Sequence, residues 1–146
     1  MNRKNFFQGI AVALAAAFSL GASAQTTPAS DPAKAKVVFQ VSDGEPGKWN
    51  LALNNARNVQ QDLGAGKVDI EIVAYGPGIG MLKADAVTAN RINEAAKSGV
   101  KVVACENTMT ALKLTKADMN ANIGYVPAGV VELMKRQSEG WAYIRP

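Results

Sequence analysis

The chain alternates short valine- and isoleucine-rich blocks with longer stretches whose apolar residues recur every three or four positions. Residues 36–42 (KVVFQVS) read as a first strand, broken by the turn residues Asp43-Gly44-Glu45-Pro46-Gly47. Residues 48–63 then carry Trp49, Leu53, Ala56, Val59 and Leu63 on one helical face, with four asparagines on other positions. That asparagine face reads as solvated. Residues 68–75 (VDIEIVAY) alternate at first and become continuously apolar, which predicts a second strand with Asp69 and Glu71 at its less buried end. A helix is expected over 81–97, clearest from Asp85, with Val87, Ile92, Ala95 and Ala96 inward and Ser98-Gly99 as its stop.

The run Val100, Val102, Val103 and Ala104 has the character of a strand buried on both faces. Asn107 and Thr108 follow as N-cap residues of a short helix over 108–114, and Thr115 is a possible cap for the next turn. A fourth strand is expected at 123–126. Pro127 suits a helix start, and the helix over 127–137 has Val130, Val131 and Met134 as buried candidates beside Leu133. A last strand at 141–144 follows Gly140. Helices between successive strands imply parallel connections. The expected fold is α/β, a three-layer α/β/α sandwich with a mostly parallel five-stranded sheet.

Residues 1–24 stand outside this pattern. Arg3 and Lys4 precede an alanine-rich apolar run, and Ala22-Ser23-Ala24 offers a small-residue cleavage site, the order of a secretory signal peptide. At about 15 residues the run is too short to span a membrane comfortably. No adjacent arginine pair marks the twin-arginine route, and no cysteine follows for lipidation. The expectation is Sec-type export to the periplasm, with no membrane attachment after cleavage. Residues 25–35 read as a flexible leader and 36–146 as one domain.

Composition narrows the chemistry. The net charge of +4 includes Arg3 and Lys4, so the exported chain is nearer neutral. It has no Lys/Arg block, and nucleic acid is not an expected partner. There is no histidine, which removes Ser-His and Cys-His catalysis. The single cysteine, Cys105, allows neither an internal disulfide nor a CxxC pair. No metal or cofactor is expected. The glycine segment Gly76-Pro77-Gly78-Ile79-Gly80 is neither GxGxxG nor a P-loop, and reads as a close chain approach rather than a phosphate cradle.

Cys105 falls where a strand ends and a helix begins, an edge at which open α/β sheets bind ligands. Two readings stand: a buried small hydrophobe, or a thiol stabilised as thiolate by the following helix, with neighbouring Glu106 opposing the charge. Asp43, Trp49 and Tyr75 lie at or just after strand ends and are candidate neighbours. Gly76, Gly78, Asn107 and Thr108 complete the candidate binding set.

Several segments together resemble the exported single-domain branch of the DsrE/DsrF-like family. They are Ser42-Asp43-Gly44, Val73-Ala74-Tyr75-Gly76-Pro77-Gly78, residues 99–109 (GVKVVACENTM), Val126-Pro127-Ala128-Gly129-Val130-Val131-Glu132-Leu133 and Gly140-Trp141-Ala142-Tyr143-Ile144. The resemblance implies symmetric homo-oligomers, trimers or hexamers. It also implies that a cysteine at the place of Cys105 carries sulfur as a persulfide in the sulfur-relay members. Its partners would be sulfur donor and acceptor proteins or small sulfur species. Many relatives have a histidine where this chain has Tyr75. The expected function is sulfur carriage on Cys105; the alternative is a non-covalent ligand-binding or assembly module in which the thiol only packs.

Overall fold

Five of the apolar blocks are strands, β1 (Ala35–Val41), β2 (Val68–Ala74), β3 (Lys101–Cys105), β4 (Gly124–Val126) and β5 (Ala142–Ile144). They hydrogen-bond in the order β4-β3-β2-β1-β5, and every pairing is parallel. The structure is a computed structural model and describes residues 33–146. The signal-peptide reading of 1–24 and nearly all of the leader fall outside the described residues. No helix among those described is long and apolar enough to cross a membrane.

The connections decide how the helices are shared between the two faces. From β1 to β2, β3 and β4 the chain steps in one direction across the sheet. Right-handed crossovers therefore put each linking segment on the same face. There α1 (Pro46–Leu63) buries Trp49, Ala52, Leu53 and Ala56, α2 (Ala89–Lys97) buries Ile92, and α3 (Glu106–Ala111) buries Met109. They share one core with Phe39, Ile72 and Val102. From β4 the chain must return across the whole sheet to β5, so α4 (Gly129–Ser138) covers the opposite face alone. Its Leu133 packs on Val38, Val73, Val103 and Val126. This is the α/β/α sandwich, with one face much more thinly covered than the other.

Two details of the main face were only partly visible in the sequence. Asn50 and Asn54 on α1 accept hydrogen bonds from Arg91 of α2, the latter at 2.7 Å, so half of the asparagine face ties two helices together. Thr115 does cap its turn, in a reciprocal box with Asp118.

Three expectations are corrected. The helix expected over 81–97 begins only at Ala89, because Gly76–Leu82 winds as a 3-10 segment that buries Ile79, Met81 and Leu82. Val87 precedes the helix and points to solvent. Glu71 does not lie at an exposed strand end; it is 0% exposed, beneath α4. Finally, Val130, Val131 and Met134 are 54%, 58% and 66% exposed. The inward stripe of α4 is Gly129, Leu133 and Arg136, spaced by four and three. Arg136 pairs with Glu71, so a charged residue occupies a position that an apolar pattern assigns to the opposite side.

The glycine segment is a close approach. A Cβ on Gly78 would lie 2.2 Å from the Val41 carbonyl oxygen. Gly78→Ala is expected to lower stability by about 1–3 kcal/mol or more through backbone displacement. Gly47→Ala, in open space on α1, is expected to raise it by about 0.5–1 kcal/mol. Urea denaturation of both variants checks the contrast.

Glu71 supplies a second prediction. Burial pushes its carboxyl above the ordinary range, and Lys101 and Arg136 only partly offset this. The folded state thus holds the proton more tightly than the unfolded chain. Its contribution to stability falls as pH rises from about 4.5 through the raised folded value. Thermal denaturation across that window should show wild type losing stability relative to Glu71→Gln as pH increases.

Candidate functional site

The adjacent strands β3 and β4 send their connections to opposite faces, α3 to one and α4 to the other. Such a divergence opens a crevice at the carboxyl ends of the strands. Cys105 is the last residue of β3 and occupies that crevice. Alternation along β3 aims Val103 and Cys105 at the α4 side. The backbone closes the crevice floor where the Asn107 N–H donates to the Pro127 carbonyl at 3.1 Å.

The sequence places the N-cap at Asn107 or Thr108. The structure shifts it to Cys105 itself, with Glu106, Asn107 and Thr108 forming the first turn of α3. No tight side-chain capping bond closes that end. Donors gather around the sulfur instead. Burial of Cys105, which is 5% exposed, works against its thiolate. The Thr108 hydroxyl and the backbone N–H groups of Gly129, Thr108 and Asn107 outweigh this, and the thiol titrates below its ordinary 9.0. The smallest of these shares comes from the Asn107 N–H, which also donates to the Pro127 carbonyl. Glu106 is not among the leading influences.

Thr108 joins the thiol to the glycine segment. Its hydroxyl accepts the Gly76 N–H at 3.0 Å, and the same hydroxyl is the leading group that favours the Cys105 thiolate. Gly76 has φ of 52°, in the region that favours glycine. On the other side, Gly129 starts α4 against Tyr75. A Cβ there would lie 3.0 Å from the tyrosine Cβ, so the missing side chain lets the start of α4 pack on Tyr75, and the Gly129 N–H is among the groups that favour the Cys105 thiolate.

Of the candidate residues, Tyr75, Gly76, Asn107 and Thr108 are brought together around Cys105. Gly78 lies one turn further along and works through packing on β1. Asp43 and Trp49 follow β1, two strands from β3, and are not brought to the thiol. Asp43 pairs with Arg145 at 3.4 Å, and its carbonyl accepts the Trp49 indole N–H at 2.7 Å. Gly129 was missed by sequence reasoning. The available signal was Pro127-Ala128-Gly129 after a short strand, a small-residue helix start at the same sheet edge.

Between α3 and the glycine segment lies an open concavity of about 590 Å³. Gly76, Pro77, Asn107, Thr108, Ala111 and Leu112 line it, none of them charged. Cys105 is not in its wall.

A family model described as the DsrE/DsrF-like family matches residues 35–146. A solved structure of a protein of unknown function from Methanobacterium thermoautotrophicum is 35% identical, with a TM-score of 0.74, covering 77% of this chain and 100% of that one. A second, from Bacteroides thetaiotaomicron and also of unknown function, is 17% identical with a TM-score of 0.63, covering 76% and 94%; it supports the fold alone. No curated protein matches the chain.

Thr108→Val removes the hydroxyl donor while keeping the side-chain volume. At neutral pH the rate of Cys105 alkylation should fall by about fivefold, the weight of one hydrogen bond. The pH profile of alkylation should also move upward. A profile identical to wild type would contradict the role given to Thr108.

Proposed function

From the premise that this chain belongs to the DsrE/DsrF-like family, we propose that it accepts sulfane sulfur on Cys105 and passes it to an acceptor thiol. The carrying observation is the position of the Cys105 thiol at the carboxyl end of β3, in the crevice between α3 and α4, where the surrounding donors also favour its thiolate. The thiolate attacks the outer sulfur of a hydropersulfide, R–S–SH. The S–S bond breaks, RS⁻ leaves, and Cys105 becomes Cys–S–SH. An acceptor thiolate then attacks that outer sulfur and releases the Cys105 thiolate. Atoms and charge balance without an external oxidant. Thr108 and the surrounding N–H groups stabilise the anionic sulfur at both ends of the cycle.

The arrangement suits a carrier more than a turnover enzyme, since the chain has no histidine to move protons and Tyr75 occupies the place where many relatives have one. The signal-peptide pattern of residues 1–24 supports a periplasmic setting. The exposed Val130, Val131 and Met134 support self-association through α4.

A second reading, non-covalent binding of an apolar ligand, is favoured by the 5% exposure of Cys105 and by the uncharged concavity. The two are separated by mass spectrometry after incubation with an alkyl hydropersulfide and capping with iodoacetamide. Carriage predicts one added sulfur on wild type, none on Cys105→Ser, and loss of that sulfur to an added thiol. Wild type that stays unmodified while the unfolded chain reacts would overturn the carrier role.

A further inference from the structure

Glu71 is the most deeply buried charged side chain among the described residues, and sulfur chemistry at Cys105 makes no direct use of it. Its surroundings are known from every side. Arg136 of α4 pairs with one carboxylate oxygen, and Lys101 of β3 lies 3.4 Å from the other. Glu132 of α4 and Glu139 just beyond it each bind Arg136 at 3.0 Å. Trp141 stacks under the guanidinium, 4.7 Å from its centre. On β1 the residue in register with Glu71 is Val38. Neither carboxylate oxygen nor Arg136 Nε completes a well-directed hydrogen bond.

Burying such a pair stabilises little or not at all compared with apolar residues of the same volume. Its best-attested use is to fix register. Here a register needs fixing. The side of the sheet under α4 has a small apolar core, and Leu133 is the only large apolar side chain that α4 buries there. Methyl groups on valines tolerate sliding. A slip of one residue would carry the helix start about 1.5 Å along its axis. At that start, Gly129 fits against Tyr75, and its N–H is one of the groups that favour the Cys105 thiolate. Arg136 stands seven residues beyond Gly129 on the same inward stripe, so it pins the far end of the helix.

We propose that the Glu71–Arg136 pair is a positioning device that locks α4 axially so that the Gly129 N–H reaches Cys105. It deepens the carrier reading by assigning positioning residues to the thiol. Its readout is thiol ionisation, so it can fail or hold independently of whether Cys105 carries sulfur.

The experiment compares the pH dependence of Cys105 alkylation by iodoacetamide in wild type, Glu71→Gln, the apolar pair Glu71→Met with Arg136→Met, and Ile92→Val. The last loosens the core on the other face. Circular dichroism and urea denaturation establish folding and stability for each. Glu71→Gln and the apolar pair should raise the alkylation midpoint and lower the neutral-pH rate by about fivefold, the loss of one donor. Ile92→Val should match wild type. The apolar pair is the decisive member because it keeps burial and stability while removing the lock. A folded apolar pair with the wild-type profile would overturn the proposal. An equal shift in Ile92→Val would also overturn it, since general loosening would then suffice.

Discussion

The return of the chain from β4 at one edge of the sheet to β5 at the other is the constraint on which the molecule depends. All earlier crossovers move in one direction and fill one face. Right-handedness then sends the final helix to the opposite face. That single reversal produces the second layer, and it places the divergence of connections beside β3 rather than elsewhere. Cys105 is positioned by this topology as much as by its own neighbours. A cysteine at the end of β1 or β2 would lie beside a strand whose connection leaves on the same face, without a second helix start opposite it.

The two faces are stabilised differently. The face under α1 and α2 is a broad apolar core reaching from Phe39 to Met119. The face under α4 combines a few valines with a buried ion pair. The first contributes most of the hydrophobic free energy of the fold. The second contributes less stability and more definition of geometry. The helix start that approaches the thiol belongs to this second layer.

Much of the fold was legible in the sequence because strands buried on both faces leave continuous valine runs, and because glycine, proline and asparagine punctuate them. The family was legible in the order of several short segments. The rotation of α4 was not. Periodicity assigns apolar residues inward, but Arg136 faces in because Glu71 is beneath it, and that pairing links residues distant in sequence. The cap of α3 was misplaced by two or three residues for a related reason: Asn107 is a good capping type, yet its N–H goes to the Pro127 carbonyl, a contact made only once β4 lies beside β3. In the candidate site, local signals singled out Cys105, Gly76 and Thr108, which the fold sets at one sheet edge. They gave no strand order, and so left Asp43 and Trp49 as neighbours that the sheet keeps apart from the thiol.

The hydrogen bond from the Gly76 N–H to Thr108 has a consequence for how charge moves through the site. A free hydroxyl rotates to follow the charge near it, and that rotation adds to the reorganisation that accompanies any change of charge. With one lone pair engaged by the Gly76 N–H, the Thr108 hydroxyl is tethered to the glycine segment and has fewer orientations open to it before charge develops on the sulfur. The surrounding N–H groups are equally fixed, being part of two helix starts. Gain or loss of an electron pair on the Cys105 sulfur therefore occurs among dipoles that are already aligned. The low-reorganisation environment belongs to these backbone N–H groups and the tethered Thr108 hydroxyl together.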